Sequence, residues 1–168
     1  VSRAIEQIES SRDSAQPFFS YIAFQANHIP LQAPQSFIDK YRGKYDQGWT
    51  VLRQQRQAKA IELGLIPPGT AMVTMDTTLD WDALSPEEQA YQARRMEVYA
   101  AMAEAMDHEV GRLIAYLKQT GQYDNTVFLF LSDNGAEGSD PYATVTGRLW
   151  LDRNYDRSID RLGSKGAY

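Results

Sequence analysis

The sequence predicts an α/β fold in which a mainly parallel sheet is flanked by helices. Two uncharged apolar runs, residues 18–24 and 126–131, are typical of strands that are buried on both faces. Between them, a long amphipathic pattern that begins at Ser85 predicts a helix. This helix would join the two strands by a right-handed parallel crossover, with helices covering the sheet.

The composition indicates one ordinary domain. The chain has 168 residues, and the 43% that are hydrophobic are enough to bury a core. Its net charge of -5 and the lack of a Lys/Arg run argue against a nucleic-acid partner. No apolar run reaches the length of a membrane span, and the zero cysteines exclude a thiolate ligand or nucleophile within this segment. The chain begins without Met, inside a helical pattern, as expected for a segment of a longer protein.

Three short helices are predicted before the long one, over residues 4–12, 36–41 and 50–63. In the third helix, Thr50 is the expected N-cap and Gly64 the expected C′ residue. Residues 65–78 contain Pro-Pro-Gly and predict an irregular surface connection.

The long helix has the clearest signals. Ser85, Pro86 and Glu88 have the spacing of a capping box with proline at the first helical position. A stripe at spacings of three and four predicts packing against the sheet; it comprises Gln92, Met96, Tyr99, Ala103, Met106, Val110, Leu113 and Leu117. His108 lies off this stripe and is expected to be exposed. After Gly138, the sequence predicts a loop with a short helix.

His28 follows the first predicted strand. The two prolines of residues 25–34 favour a loop, which places His28 at the carboxyl end of that strand. A histidine in such a loop can be a surface residue bonded to nearby backbone. It can also be a general acid or an anion-contacting group, because imidazole titrates near neutral pH.

Asp133 and Asn134 follow the second predicted strand, at the same edge of the predicted sheet as His28. An Asp-Asn-Gly sequence after a strand can be only a turn. Its carboxylate and carboxamide oxygens also suit Ca²⁺ or Mg²⁺, although two side chains supply only part of the 6–8 oxygens that calcium takes.

Several stretches, in this order, resemble a bacterial arylsulfatase of the formylglycine-dependent sulfatase family. They are residues 18–24, 28–34 (His-Ile-Pro-Leu-Gln-Ala-Pro), 40–46, 96–102 and 131–138 (Leu-Ser-Asp-Asn-Gly-Ala-Glu-Gly). The resemblance covers nearly the whole chain. It identifies residues 1–168 with a central part of the catalytic domain, without the nucleophile region and the C-terminal subdomain.

The resemblance implies an alkaline-phosphatase-like fold and hydrolysis of sulfate esters by a formylglycine nucleophile. By position, Asp133 and Asn134 match two calcium ligands, and His28 matches a histidine that contacts the sulfate. A cation would neutralise the nonbridging oxygens, and an acid would protonate the leaving oxygen. The expected partners are the sulfate ester substrate and the remainder of the sulfatase chain.

The segment has no Cys-x-Pro-Ser-Arg motif and no paired aspartates upstream of His28. We therefore expect the isolated segment to be inactive and to bind calcium weakly. Two alternatives stay open: a phosphodiesterase or phosphonate hydrolase of the same superfamily, and a non-catalytic scaffold domain that lost the nucleophile.

Overall fold

The computed structural model describes residues 1–14, 16–72, 80–135 and 144–167. The helices in these ranges are α1 (Ser2–Ser10), α2 (Gln35–Ile38), α3 (Gly48–Glu62), α4 (Pro86–Gln119) and α5 (Val145–Asn154). Single 3-10 turns cover Asp39–Tyr41, Trp81–Ala83, Tyr123–Asn125 and Ile159–Arg161. The helices predicted from the sequence, including the short one after Gly138, are confirmed. Residues 65–72 have no regular structure, whereas the end of the predicted connection and Gly138 itself lie outside the described residues.

The predicted mainly parallel sheet is wrong. Residues 18–24 and 126–131 form no strand, and the β pairing in the described ranges is limited to isolated parallel bridges, of which the first joins Gln32 to Gly163. A strand needs a neighbour for its N–H and C=O groups, and these two runs do not pair with each other. Several of their side chains are also exposed, by 93% at Phe19 and 85% at Leu129. The described residues are therefore helical rather than α/β and show no alkaline-phosphatase-like sheet or parallel crossover.

Helix α4 is the longest element, and its N-terminal signals are confirmed. The Ser85 hydroxyl accepts a hydrogen bond from the Glu88 N–H at 3.3 Å, and the Glu88 carboxylate accepts one from the Ser85 N–H at 2.9 Å. Pro86 stands in the first turn, where its missing N–H costs no helical hydrogen bond. These local contacts fix where the helix begins.

The predicted core-facing stripe of α4 is wrong for most of its length. Of its members only Leu117 is buried, and Tyr99 is 43% exposed. The buried residues of α4 are instead Ala93, Glu97, Val98, Ala101, Met102 and Leu117. The prediction placed the helix against a sheet, whereas α2 and two loop segments pack against a different face.

The main core joins three parts of the chain to α4. Leu31, Ile38, Val98, Ala101, Met102 and Leu162 form one buried cluster. Leu31 belongs to the loop of residues 25–34, hereafter the His28 loop, and Leu162 lies near the end of the described chain. The core thus places the His28 loop against α4 and the C-terminal segment.

The start of α3 differs from the prediction. The helix begins at Gly48, so Thr50 is not its N-cap, and the cap residue Gln47 makes no side-chain capping bond. Gly48 has a φ of +79°, and a Cβ built there would lie 2.2 Å from the Trp81 ring. Trp49 packs edge-on against Trp81, with ring centroids 4.9 Å apart. The backbone of Gly48 can therefore approach the buried Trp81 only because it has no side chain.

Replacing Ser85 with alanine should lower the free energy of unfolding by about 1 kcal/mol at neutral pH, the usual contribution of a serine N-cap. Two hydrogen bonds lower the pKa of the Glu88 carboxyl: the larger effect comes from the Ser85 side chain and the smaller from the Ser85 backbone N–H. A carboxyl with a lowered pKa in the folded state stabilises above its unfolded pKa and loses this effect as the pH falls through the folded value. The difference in free energy of unfolding between wild type and Ser85→Ala should therefore become smaller as the pH falls.

Urea unfolding at neutral pH and at about pH 3 measures this difference, since carboxyls titrate near pH 4. The matched control is Ser10→Ala, because the Ser10 hydroxyl donates only to the Gln7 carbonyl at the end of α1. A Ser85→Ala penalty that is the same at both pH values would contradict the role of Glu88.

Candidate active site

The His28 loop is held at several points. The His28 N–H donates to the Gln25 carbonyl at 2.7 Å, which closes a turn within the loop. Further along, Leu31 is buried in the core, and the Ala33 N–H donates to the Gly163 carbonyl at 3.2 Å. The prediction that His28 lies in a loop is confirmed, whereas no strand precedes it.

The His28 imidazole is exposed, and one of its nitrogens is engaged. Nδ1 lies 2.6 Å from the carbonyl oxygen of Ile29. A carbonyl oxygen has no proton to give, so Nδ1 must carry the hydrogen and donate it. Nε2 is thus the nitrogen available to another group. In the neutral ring Nε2 can accept a hydrogen bond, and in the imidazolium its N–H can donate one.

Asp133 and Asn134 lie in an exposed turn. The Ser132 hydroxyl donates to the Asn134 carbonyl at 2.7 Å, and the Asn134 amide nitrogen donates to the Gly135 carbonyl at 2.7 Å. The Asn134 side-chain nitrogen is thus engaged, and its side-chain oxygen is left as the potential ligand atom. Within the described residues, the Asp133 carboxylate accepts no hydrogen bond and forms no ion pair.

The donor types of this turn fit a hard cation such as Ca²⁺, since both free atoms are oxygens. No group of three or more His, Asp or Glu side chains in the described part of the chain could hold a metal. Asp133 and Asn134 can therefore supply only part of a ligand shell.

The structure does not join the two parts of the predicted site. In the described residues, no hydrogen bond or ion pair connects His28 with Asp133 or Asn134. The expectation that they share one edge of a sheet loses its basis because the sheet is not formed. A cavity of about 290 Å³ lies beside the His28 loop, between Phe24, Ala26 and Pro30 on one side and Met102 and Met106 of α4 on the other.

Comparison with known proteins decides the family. The model of the sulfatase family matches residues 1–161, nearly the whole chain. The chain belongs to the sulfatase family. It is 43% identical to an uncharacterized sulfatase of Schizosaccharomyces pombe over 171 residues, which is 100% of this chain and 31% of the relative. It is 42% identical to an arylsulfatase of Klebsiella aerogenes over 154 residues, or 91% of this chain and 33% of the relative.

This sulfatase chain spans about a third of the length of those two relatives. A mouse protein named arylsulfatase J is 25% identical over 167 residues, which is 99% of this chain and 18% of the relative. Among the described residues of the sulfatase chain, no helix is both long and apolar enough to cross a membrane.

One long-range contact beside the candidate site was not predicted from the sequence. Asn27, directly before His28, donates from its side-chain nitrogen to the Tyr99 carbonyl of α4 at 3.2 Å. The partners are 72 residues apart, and no local pattern announces such a contact. The only signal was the position of Asn27 beside a candidate catalytic histidine.

Proposed function

We propose that the complete protein hydrolyses sulfate esters as an arylsulfatase, and that this segment contributes His28, Asp133 and Asn134 to its site. The observation that carries the proposal is the 42% identity to the Klebsiella arylsulfatase across 91% of the chain. The segment is then a central part of the catalytic domain, with the nucleophile region and the C-terminal subdomain supplied by the rest of the protein.

His28 acts in this proposal as the acid that serves the leaving oxygen. Its Nδ1–H donates to the Ile29 carbonyl, so Nε2 is the nitrogen that would contact the substrate. As an imidazolium, the ring donates from Nε2 to a sulfate oxygen and passes that proton to the ester oxygen when the sulfur–oxygen bond breaks. The exposed position of His28 leaves room for this contact.

Asp133 and Asn134 provide two oxygens toward a calcium ion. Calcium bound there would neutralise charge on the sulfate oxygens, and a formylglycine from outside this segment would supply the nucleophile. The hydrogen bond from the Asn134 amide to Gly135 orients its oxygen, and the carboxylate of Asp133 has no competing cation among the described residues. Because two ligands are too few, the isolated segment binds calcium weakly. It is inactive because it has no Cys-x-Pro-Ser-Arg motif to supply the nucleophile.

The remainder of the sulfatase chain is the proposed partner of the two apolar runs. Val127, Leu129, Phe130 and Leu131 are each at least 75% exposed, as are Phe19 and Tyr21. Several large exposed apolar side chains close together in one run are typical of an interface. We assign its coverage to polypeptide that the longer relatives have and this segment lacks.

The test is an assay of the purified complete protein with an aryl sulfate and an aryl phosphodiester. We expect kcat/KM for the sulfate to be at least about 100-fold higher, since discrimination is measured by that ratio. A preference for the phosphodiester would instead support a phosphodiesterase or phosphonate hydrolase. Absence of both activities, together with a reading frame that lacks Cys-x-Pro-Ser-Arg or Ser-x-Pro-Ser-Arg, would support a non-catalytic scaffold.

A further inference from the structure

The His28 loop is attached to the rest of the fold on both sides of His28. After His28, Leu31 is buried in the core and Ala33 bonds to Gly163. Before His28, Ala26 packs against the core, and Asn27 donates a hydrogen bond to the Tyr99 carbonyl of α4. Because α4 is a 34-residue helix with a buried face, its backbone is a rigid base for that bond.

The orientation of the Asn27 carboxamide follows from this contact. A carbonyl oxygen accepts hydrogen bonds and donates none, so the atom that faces the Tyr99 carbonyl must be the amide nitrogen. The opposite orientation would set two oxygens against each other. Asn27 therefore acts here as a donor.

The other end of the carboxamide is unsatisfied. Asn27 Oδ1 is buried and has no hydrogen-bond partner among the described residues. A buried acceptor without a donor destabilises the folded state, and such groups in native proteins call for an explanation. An apolar side chain of similar size would avoid this cost, so stability alone does not account for asparagine at this position.

We propose that Asn27 is a positioning residue, whose amide attaches the His28 loop to α4 and so fixes the direction of the His28 ring. This inference rests on the proposed function of His28 and adds a residue that acts through it. Asn27 directly precedes His28, so loss of its hydrogen bond removes the contact nearest to the histidine on that side and loosens the backbone there. The Nδ1 contact with Ile29, and with it the direction of Nε2, then becomes variable.

The decisive variant is Asn27→Leu in the complete protein. Leucine has a similar size, lacks the N–H donor and removes the unsatisfied oxygen. We expect kcat for an aryl sulfate to fall about tenfold, because misplacement of a reacting group by about 1 Å can cost up to 100-fold. We expect KM within about twofold of wild type and a thermal midpoint that is unchanged or higher, as the removed oxygen was destabilising.

The matched control is Gln57→Leu. Gln57 also attaches a loop through its amide, by donating to the Thr70 carbonyl at 2.6 Å, but this loop does not contain His28. The control should leave kcat unchanged. An unchanged kcat in Asn27→Leu, or a fall that is accompanied by a lower thermal midpoint, would overturn the positioning role.

A second measurement does not depend on turnover. Selective ¹⁵N labelling of histidine reports ring tautomers, and His28→Gln assigns the His28 signals. Wild type should show the Nδ1–H form at His28, and Asn27→Leu a mixture of tautomers; identical spectra would overturn the inference. If wild type lacks sulfatase activity, the proposed function fails, and the spectra still decide whether Asn27 positions His28.

Discussion

Replacing Asp133 with alanine in the complete sulfatase should lower kcat for an aryl sulfate by about 10³-fold. Metal stabilisation of transition-state charge contributes several kcal/mol, and each 1.36 kcal/mol corresponds to a factor of ten in rate. Asp133 is the charged member of the proposed ligand pair, and its carboxylate accepts no hydrogen bond from the described residues. The apparent affinity for calcium should fall as well, measured by the calcium concentration that restores activity after chelation.

Two further variants sharpen this test. Asp133→Asn keeps a ligand oxygen and loses the charge, so its loss of activity should be smaller than that of alanine. Asp124→Ala removes an aspartate from the 3-10 turn Tyr123–Asn125, at the other end of the same apolar run, and should leave kcat and the calcium dependence unchanged. Asp133→Ala with wild-type kcat at low calcium would refute the metal role.

Replacing Gly48 with alanine should destabilise the fold by about 2–5 kcal/mol, through two costs. An L-residue in the left-handed region costs about 1–2 kcal/mol, and Gly48 has a φ of +79°. Overpacking adds about 1–3 kcal/mol, because the new methyl group would lie 2.2 Å from the ring of the buried Trp81. Urea unfolding followed by tryptophan fluorescence measures the sum.

Gly64→Ala separates the two costs. Gly64 has a φ of +70°, but a Cβ there meets nothing within 4 Å. Its replacement should therefore cost only the backbone term, about 1–2 kcal/mol. Equal losses at Gly48 and Gly64 would mean that the Trp81 contact is not a constraint on folding.

The helices were predictable because their signals are local. The capping box of Ser85 and Glu88 lies within four residues, and the structure forms both of its hydrogen bonds. Whether an apolar run forms a strand was not predictable in this way. A run such as 126–131 has the composition of a strand, but its sequence does not show whether a neighbouring strand is present to pair with it. The face of α4 that is buried likewise depended on which segments pack against it. Glu97 is a clear case: it is a charged residue, yet it is 5% exposed and accepts the Gly43 N–H at 2.7 Å.

The candidate site was predictable only as a set of residue types. Motif order gave His28, Asp133 and Asn134, and the sulfatase family is confirmed by the match over residues 1–161. Their metal and catalytic roles stay predictions. The expectation that these residues lie close together depended on the sheet, which is not formed. The contact of Asn27 was not predicted because its partner, Tyr99, is 72 residues away in the sequence.

The attachment of the His28 loop to the last described residues limits how this polypeptide can be divided. Leu162 shares the core with Leu31, Gly163 accepts the Ala33 N–H, and the Ala167 carbonyl accepts a hydrogen bond from Gln32. A split of the chain between α5 and Leu162 would separate the loop from all three of these contacts. The exposed residues 65–72, far from these bonds in the sequence, are the better place for a cut or an inserted tag.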